Sequence, residues 1–259
     1  MSTSGTETGM LSPWRVEWLR VWRTRRLIGL LVVYAFFGFA DPMLARYMAK
    51  LLGAATNTSQ LTITVADPVP ADGMVGYLGS ALQIGLMVGL AMLVSACAID
   101  ASYQLAIFYR TRRAQLWTLL VPRLTVSLGT MTAGFALGMA AAWYETAVLI
   151  GTPSFAGTMR LLVAGCCYQV AFGGIAFLLT AILRSVGTTT AIAIVLVLLS
   201  SILTTWPSIA RWSPVGLTDY AGIYAGDTAM GTAILASVAI AAVAIGAGMV
   251  IAQRRQLER

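Results

Sequence analysis

Residues 12–48 read SPWRVEWLRVWRTRRLIGLLVVYAFFGFADPMLARYM, and this stretch decides the fold of the chain. Its first part mixes tryptophan with arginine behind a Ser-Pro pair, which is typical of a helix N-terminus. Apolar residues then dominate from 27 to 48, which is enough helix to cross the roughly 30 Å hydrocarbon core of a bilayer. The stretch therefore predicts an amphipathic helix over 12–26 that leads into a first membrane-spanning helix.

The tryptophans of this amphipathic helix predict where it lies. At about 100° per residue, Trp14, Trp18 and Trp22 share one face of the helix. Arg20 and Arg23 lie on another face. A helix of this kind lies in the membrane interface, where tryptophan is enriched. The alternative is a plain positively charged flank of the first span, but the regular spacing of the tryptophans favours an interfacial helix that these side chains anchor.

The composition of the whole chain indicates a membrane protein. Hydrophobic residues make up 58% of the sequence and charged residues only 10%, whereas about a quarter of a soluble domain is charged. We expect an all-α polytopic membrane protein, with a disordered N-terminus over 1–11, a six-span transmembrane domain over 27–252 and a cytoplasmic tail over 253–259. The six apolar runs cover residues 27–48, 76–98, 121–150, 159–183, 187–206 and 229–252.

The basic residues predict how the chain faces the membrane. Of the 17 lysines and arginines, all but four flank the same ends of the apolar runs. Such an excess marks the cytoplasmic side of a membrane protein. We therefore expect a multi-pass protein of the plasma membrane with both termini in the cytoplasm. The four exceptions are Arg46, Lys50, Arg160 and Arg211.

The residue types that the sequence lacks exclude several chemistries. It has no histidine, which removes His-based zinc sites, ordinary haem ligation and Ser-His catalysis. Lys50 is the only lysine and Leu51 follows it, so a P-loop of the form GxxxxGK[ST] does not occur. Cys97, Cys166 and Cys167 lie in apolar runs without metal-ligand spacing. We expect a non-enzymatic chain with no metal site, whose net charge of +7 reflects topology rather than nucleic-acid binding.

The loop between the second and third runs carries the residues best suited to contact another protein. It mixes aromatic side chains with arginines, the residue types that are enriched at protein–protein hot spots. A short helix in this loop would present them together. The alternative is an interfacial loop whose arginines fix topology and touch phosphate head groups. The candidate contact residues are Asp100, Tyr103, Gln104, Phe108, Tyr109, Arg110, Arg112 and Arg113.

This loop resembles the segment between spans 2 and 3 in the type-2 permeases of ATP-binding-cassette exporters. In that family an acidic or polar residue precedes a short coupling helix, and a basic-and-proline segment leads into the third span. Asp100 and Pro122-Arg123 stand in those places, although the family's usual Glu followed by Gly-Thr is absent. Residues 17–25 are similar to the family's amphipathic connecting helix, and residues 207–217 are similar to its proline-containing elements between spans 5 and 6.

The resemblance implies both a fold and a function. The fold has six transmembrane helices, a cytoplasmic coupling helix between spans 2 and 3, and short outer helices between spans 5 and 6. The function is that of an exporter permease, in which two identical or homologous chains rest on separate P-loop ATPase subunits. Those subunits bind ATP and Mg²⁺, and this chain binds no cofactor. The loop residues named above would contact the ATPase, supported by Glu17 and Arg20.

The cargo is constrained only by composition. An apolar bundle with few charges suits an amphipathic substrate such as a drug, a lipid or a peptide, and membrane lipids surround it. Gln83 and Gln169 are amides inside apolar runs, and they either line a substrate path or bond to a neighbouring helix. Two other functions stay open, namely an accessory or assembly subunit of a larger membrane complex and a secondary transporter.

Small and acidic residues within the runs allow further expectations. Gly85-Leu-Met-Val-Gly89 and Gly134-Phe-Ala-Leu-Gly138 match GxxxG, which permits close helix approach within the chain or in a dimer. Asp41 and Glu145 lie near span ends and are expected to be solvated. Since no chain of ionisable groups crosses the bilayer, the pattern counts against a proton-driven transporter.

Overall fold

The computed structural model describes residues 12–56, 67–98, 117–204, 206, 208, 210, 212–226 and 230–257. Over this part of the chain every regular element is a helix. Six stretches of helix are long and apolar enough to cross a membrane. The prediction of an all-α protein with six membrane-length helices is therefore confirmed. The segment predicted to hold the coupling helix, and residues 1–11, lie outside the described residues.

The membrane-length helices follow the order of the predicted apolar runs. The helices are α1 (Pro13–Arg23), α2 (Arg26–Thr56), α3 (Pro70–Ser80), α4 (Leu86–Cys97), α5 (Trp117–Leu149), α6 (Phe155–Leu183), α7 (Val186–Leu203), α8 (Tyr220–Ala225) and α9 (Gly231–Leu257). A π-helical turn, Ala81–Gly85, joins α3 to α4, so that Pro70–Cys97 forms span 2. Spans 1, 3, 4, 5 and 6 are α2, α5, α6, α7 and α9. Short helices lie between spans 5 and 6, where they were expected, because a 3-10 helix, Pro214–Thr218, precedes α8.

Polar first turns make two of the spans longer than the apolar runs that predict them. At the start of span 2, the Asp72 carboxylate accepts a hydrogen bond from the backbone N–H of Val69 at 2.9 Å. At the start of span 4, the Ser154 hydroxyl accepts from the backbone N–H of Gly157 at 3.3 Å. Such caps satisfy the unpaired N–H groups of a first turn. Hydropathy alone misses these turns because residues such as Asp72, Gly73, Gly157 and Thr158 lower their mean hydropathy.

Successive spans run in opposite directions, so the bundle has two ends. One end holds α1, the end of span 2 and the start of span 3, and Glu17 meets Arg123 there. We call it the arginine-rich end. The opposite end holds the 3-10 helix, α8 and the connection between spans 3 and 4, where the Tyr224 hydroxyl accepts a hydrogen bond from the backbone N–H of Ser154 at 2.7 Å. The cytoplasmic location predicted for the arginine-rich end remains a prediction.

Spans 2 and 4 form the centre of the bundle. Within their most apolar windows 56% and 61% of the residues are buried, against 22% for spans 1, 5 and 6. Tyr77 of span 2 stacks on Phe135 of span 3 with ring centroids 5.7 Å apart, and Tyr34 of span 1 meets the same ring edge-on at 6.0 Å. The Tyr77 hydroxyl donates to the Phe135 carbonyl at 2.7 Å. Its polar atom therefore has a partner within the apolar core.

Glycines bring spans 1, 2 and 3 close together. A Cβ atom at Gly138 would lie 2.7 Å from the carbonyl oxygen of Tyr34, and one at Gly38 would lie 2.6 Å from the carbonyl oxygen of Gly138. A Cβ atom at Gly89 would overlap the Met131 side chain, whose flexible end can move aside. Both GxxxG segments therefore serve contacts inside this chain, and at Gly138 the neighbouring backbone leaves room only for glycine.

Candidate functional site

The helix α1 has two different faces. Trp14, Trp18 and Trp22 are about half exposed, at 50%, 49% and 57%. Glu17 and Val21 are buried on the other side of the helix. The tryptophans therefore point away from the bundle, which is the orientation that the predicted membrane anchor needs. The location of α1 in the membrane interface itself remains a prediction.

The buried face of α1 forms an ion pair with span 3. Nε of Arg123 donates to Oε1 of Glu17 at 2.8 Å, and the two side chains are only 5% and 6% exposed. When two charges are buried as a pair, removing one partner leaves the other uncompensated and costs about 3–5 kcal/mol. The pair therefore fixes α1 firmly against the start of span 3.

Two further arginine contacts reach the end of span 2. Nη1 of Arg123 donates to the Ala96 carbonyl at 3.4 Å, and Nη1 of Arg26 donates to the Ser95 hydroxyl at 3.0 Å. The Ser95 hydroxyl donates its own proton to the Met92 carbonyl at 2.8 Å. Its oxygen is therefore oriented as an acceptor towards Arg26. These bonds tie the end of span 2 to the starts of spans 1 and 3.

A second arginine of α1 adds a weaker contact. Nη1 of Arg20 lies 3.6 Å from Oε2 of Glu17, and the Arg20 side chain is 38% exposed. Because water screens a partly exposed pair, such a contact contributes about 0–1 kcal/mol. We call Glu17, Arg26, Ser95 and Arg123 the polar brace, and Arg20 is its exposed neighbour.

The polar brace lies beside both borders of the segment predicted to contact a partner. Span 2 ends at Cys97 and span 3 begins at Trp117. Ala96 and Arg123, which the brace connects, are therefore close in sequence to those two borders. The predicted contact residues between them, all of which lie outside the described residues, are Asp100, Tyr103, Gln104, Phe108, Tyr109, Arg110, Arg112 and Arg113.

The structure refines the roles predicted for Glu17 and Arg20. Glu17 is buried and bonded within the chain, so it can support a partner contact only indirectly, through the helix that it holds. Arg20 remains partly exposed, and its predicted contact stays a prediction. The contacts of Arg26 and Ser95 could not be predicted from the sequence. An arginine at the end of a span indicates only topology, and a single serine in an apolar run belongs to no motif.

A cavity of about 230 Å³ lies in the half of the bundle nearer the opposite end. It is bounded by spans 2, 4 and 5 and by the short helices that precede span 6. Gln83, one of the two residues predicted to line a substrate path, forms part of its wall. The cavity is lined by Gly79, Leu82, Gln83, Tyr168, Val197, Ser201, Thr204, Thr218 and Tyr220.

The π-helical turn of span 2 places Gln83 in the cavity wall. The backbone N–H of Leu86 bonds to the carbonyl of Ala81, five residues earlier. Such a turn contains one residue more than an α-helical turn, and π turns occur frequently at functional sites. Ser80, which precedes the turn, donates to Oδ1 of Asp41 at 3.0 Å. Asp41 is half-buried and bonds span 1 to span 2, and its expected solvation stays a prediction.

Gln169 lies elsewhere. It is fully buried in span 4, and neither its amide nitrogen nor its amide oxygen has a hydrogen-bond partner among the described residues. It does not line the cavity, and it does not bond to a neighbouring helix in the described part of the chain. The position of Gln83 therefore supports a role in a substrate path, whereas the position of Gln169 does not.

Hydroxyl groups organise the rest of the cavity wall. The Ser200 hydroxyl donates to the Val197 carbonyl at 2.6 Å, and the Tyr168 hydroxyl lies 2.7 Å from the Ser200 oxygen. Since the Ser200 proton is used, Tyr168 is the donor of the second bond. Burial raises the pKa of the Tyr220 phenol above its ordinary value, with a smaller contribution from Tyr168. The Tyr220 side chain is therefore neutral near neutral pH.

Neither a metal site nor a known relative adds to this picture. The described residues contain no group of three or more Cys, Asp or Glu side chains placed to hold a metal ion. No protein family, curated protein or solved structure matches the chain. The function is therefore argued from the polar brace, the cavity and the sequence.

Proposed function

We propose that this chain is the permease subunit of an exporter that is powered by ATP hydrolysis in separate P-loop ATPase subunits. The polar brace carries the proposal, because its buried Glu17–Arg123 pair joins α1 to the region from which the predicted coupling segment emerges. Six membrane-length helices supply a bundle for the substrate to cross. Residues 1–259 contain no P-loop, and the proposal places the P-loop in the separate ATPase subunits.

The brace provides a physical route for movement. When the ATPase subunits close on ATP, they displace the segment between residues 99 and 116. That displacement reaches Ala96 at the end of span 2 and Arg123 at the start of span 3. Because the buried pair costs several kcal/mol to break, α1 and these two span ends move as one unit. Such a rigid-body shift changes the bundle from an inward to an outward opening.

The proposed assembly contains two permease chains, identical or homologous, and two ATPase subunits that bind ATP and Mg²⁺. It lies in the plasma membrane with both termini of this chain in the cytoplasm. The Trp-anchored α1 lies in the membrane interface, and a short coupling helix between spans 2 and 3 contacts the ATPase. The cavity beside Gln83 is the proposed contact for an amphipathic substrate such as a drug, a lipid or a peptide.

Capture of the tagged chain from its native membranes tests the proposal. We expect a P-loop ATPase to co-purify and to hydrolyse ATP in the reconstituted complex. Changing Arg110, Arg112 and Arg113 together to alanine is expected to weaken the complex about tenfold or more, because arginines are frequent interface hot spots. Arg254→Ala, at the same end of the bundle, is the control. Absence of an ATPase, or a complex that the triple change leaves intact, would contradict the proposal, and a partner without ATPase activity would favour an accessory subunit.

A further inference from the structure

Uncharged hydrogen-bonding groups form part of the wall of the cavity beside the π-helical turn, together with the apolar side chains of Leu82 and Val197. Gln83 contributes an amide, and Ser201 and Thr204 contribute hydroxyls. All three residues are exposed, so a ligand can reach them. Tyr168 and Tyr220 add aromatic rings. Among the described residues that line the cavity, none is acidic or basic. The lining is therefore suited to a neutral ligand group that bears several hydrogen-bonding atoms.

Three of the charged side chains in this half of the bundle are bonded to other groups. Asp41 accepts from Ser80 at 3.0 Å. Arg160 donates to a backbone carbonyl of α8 at 3.3 Å, and Asp219 caps α8 by accepting from the backbone N–H of Gly222 at 3.2 Å. The described lining thus offers no counter-charge to a charged ligand. Since an uncompensated charge in an apolar environment costs far more free energy than a neutral polar group, the cavity selects against ions.

The size of the cavity decides how much of a ligand it can hold. Its volume of about 230 Å³ is below the roughly 300–1,000 Å³ of pockets that enclose a drug-sized molecule. On the same two helices, spans 2 and 5, the apolar side chains of Ile84, Val88 and Leu198 follow lining residues closely in sequence and are 48%, 39% and 43% exposed. A head group in the cavity would therefore leave its apolar tail on this surface, in contact with the bilayer.

We propose that this cavity binds the uncharged, hydroxyl-bearing head group of an amphipathic ligand. The Gln83 amide is the main hydrogen-bonding group, because it can both donate and accept, and the Ser201 and Thr204 hydroxyls complement it. The π turn is what brings Gln83 to this wall. Binding requires only this chain, whereas the role of the bound molecule as the transported substrate rests on the proposed function.

Three probes with the same tail and different heads test the selectivity. They are hexyl β-glucoside, hexyltrimethylammonium and hexyl sulfate, titrated calorimetrically into the full-length chain in phosphatidylcholine nanodiscs. Empty nanodiscs correct for partition into lipid. We expect saturable binding of the glucoside and about tenfold or more weaker binding of both charged probes. Absence of saturable glucoside binding, or a charged probe that binds as tightly, would overturn the proposal.

A matched pair of variants tests the position of the site. Gln83→Leu removes the amide from the cavity wall, and Gln253→Leu removes an exposed amide near the end of α9. Loss of one hydrogen bond is expected to weaken glucoside binding about three- to tenfold for Gln83→Leu, with no change for Gln253→Leu. Ser201→Ala is a second variant with the same expected direction, and thermal unfolding verifies that each variant is folded. Equal affinities of the two leucine variants would overturn the assignment.

The same preparations separate this proposal from the exporter proposal. If the chain binds the glucoside but no ATPase co-purifies with it, the head-group proposal stands and the exporter proposal fails. If an ATPase co-purifies but the chain shows no saturable glucoside binding, the exporter proposal stands and the head-group proposal fails. The two proposals therefore fail independently.

Discussion

The two ends of the bundle are held together by different chemistry. At the arginine-rich end, Glu17 and Arg123 meet as buried charges at 2.8 Å. Towards the opposite end, single hydrogen bonds join the elements, such as Ser80 to Asp41 at 3.0 Å and the neutral Tyr168 and Ser200 hydroxyls at 2.7 Å. Removal of one partner from a buried ion pair costs about 3–5 kcal/mol, whereas removal of one partner from a neutral buried hydrogen bond costs about 1–3 kcal/mol. One end is thus built to stay together, and the other can rearrange at small cost.

This difference matches two tasks of a transporter. A connection that transmits movement has to stay intact while it is displaced, and the polar brace provides such a connection beside the predicted coupling segment. A site that takes up and releases a ligand has to adapt, and neutral hydroxyl and amide groups can exchange partners between ligand, water and protein. Substitutions at either end of the bundle test whether the two ends differ in this way.

The largest expected effect comes from Arg123→Gln. Glu17 would then stay buried with only the partly exposed Arg20 as a cationic neighbour, and we expect a loss of about 3–5 kcal/mol in the free energy of unfolding. Unfolding in mixed micelles with increasing dodecyl sulfate measures it. The control is Arg254→Gln, which changes an exposed arginine and is expected to alter stability by no more than about 0.5 kcal/mol. If the two variants were equally stable, the polar brace would not stabilise the fold.

A comparable effect is expected from Glu17→Gln. The amide oxygen can still accept from Arg123, but the buried guanidinium loses the carboxylate that compensates its charge, and we expect a loss of about 3–5 kcal/mol. The matched control is Glu145→Gln, near the end of span 3, with an expected change of about 0.5 kcal/mol or less. The same unfolding assay applies. A Glu17→Gln protein as stable as the wild type would show that the pair does not hold α1 in place.

The smallest effect is expected at the opposite end, from Ser200→Ala. This change leaves the buried Tyr168 hydroxyl without its acceptor and is expected to cost about 1 kcal/mol. The neighbouring Ser201→Ala is the control, because Ser201 is exposed and its loss is expected to change stability by about 0.5 kcal/mol or less. If Ser200→Ala lowered the free energy of unfolding as much as Arg123→Gln, the contacts at the two ends would not differ in strength.

The parts of the fold that depend on local pattern could be predicted from the sequence. Each apolar run is long enough to cross a bilayer, and the structure has a membrane-length helix at each one. The start of α1 follows from Ser12 and Pro13, since a serine cap and a proline in the first turn favour a helix beginning there. The coupling residues between 100 and 113 remain predictions because they lie outside the described residues.

The parts that depend on packing could not be predicted. Glu17 and Arg123 are separated by 106 positions, and nothing in either segment specifies that they pair. The cavity combines side chains from three spans and the short helices, and each of them taken alone fits an ordinary span or loop. The π turn that carries Gln83 has no sequence pattern comparable to a cap or a GxxxG motif. Gln83 and Gln169 therefore look equivalent in the sequence and differ only in the fold.

One measurement tests most directly whether the two ends are connected. The complex with the ATPase is reconstituted with the three native cysteines replaced by alanine and with Gln83→Cys, and the rate of labelling by a membrane-impermeant maleimide is followed. We expect ATP with vanadate to change this rate about fivefold or more, and we expect Glu17→Gln, but not Glu145→Gln, to abolish most of that response. A labelling rate that does not change with nucleotide, or a Glu17→Gln complex that responds like the wild type, would show that the polar brace does not connect the ATPase to the cavity.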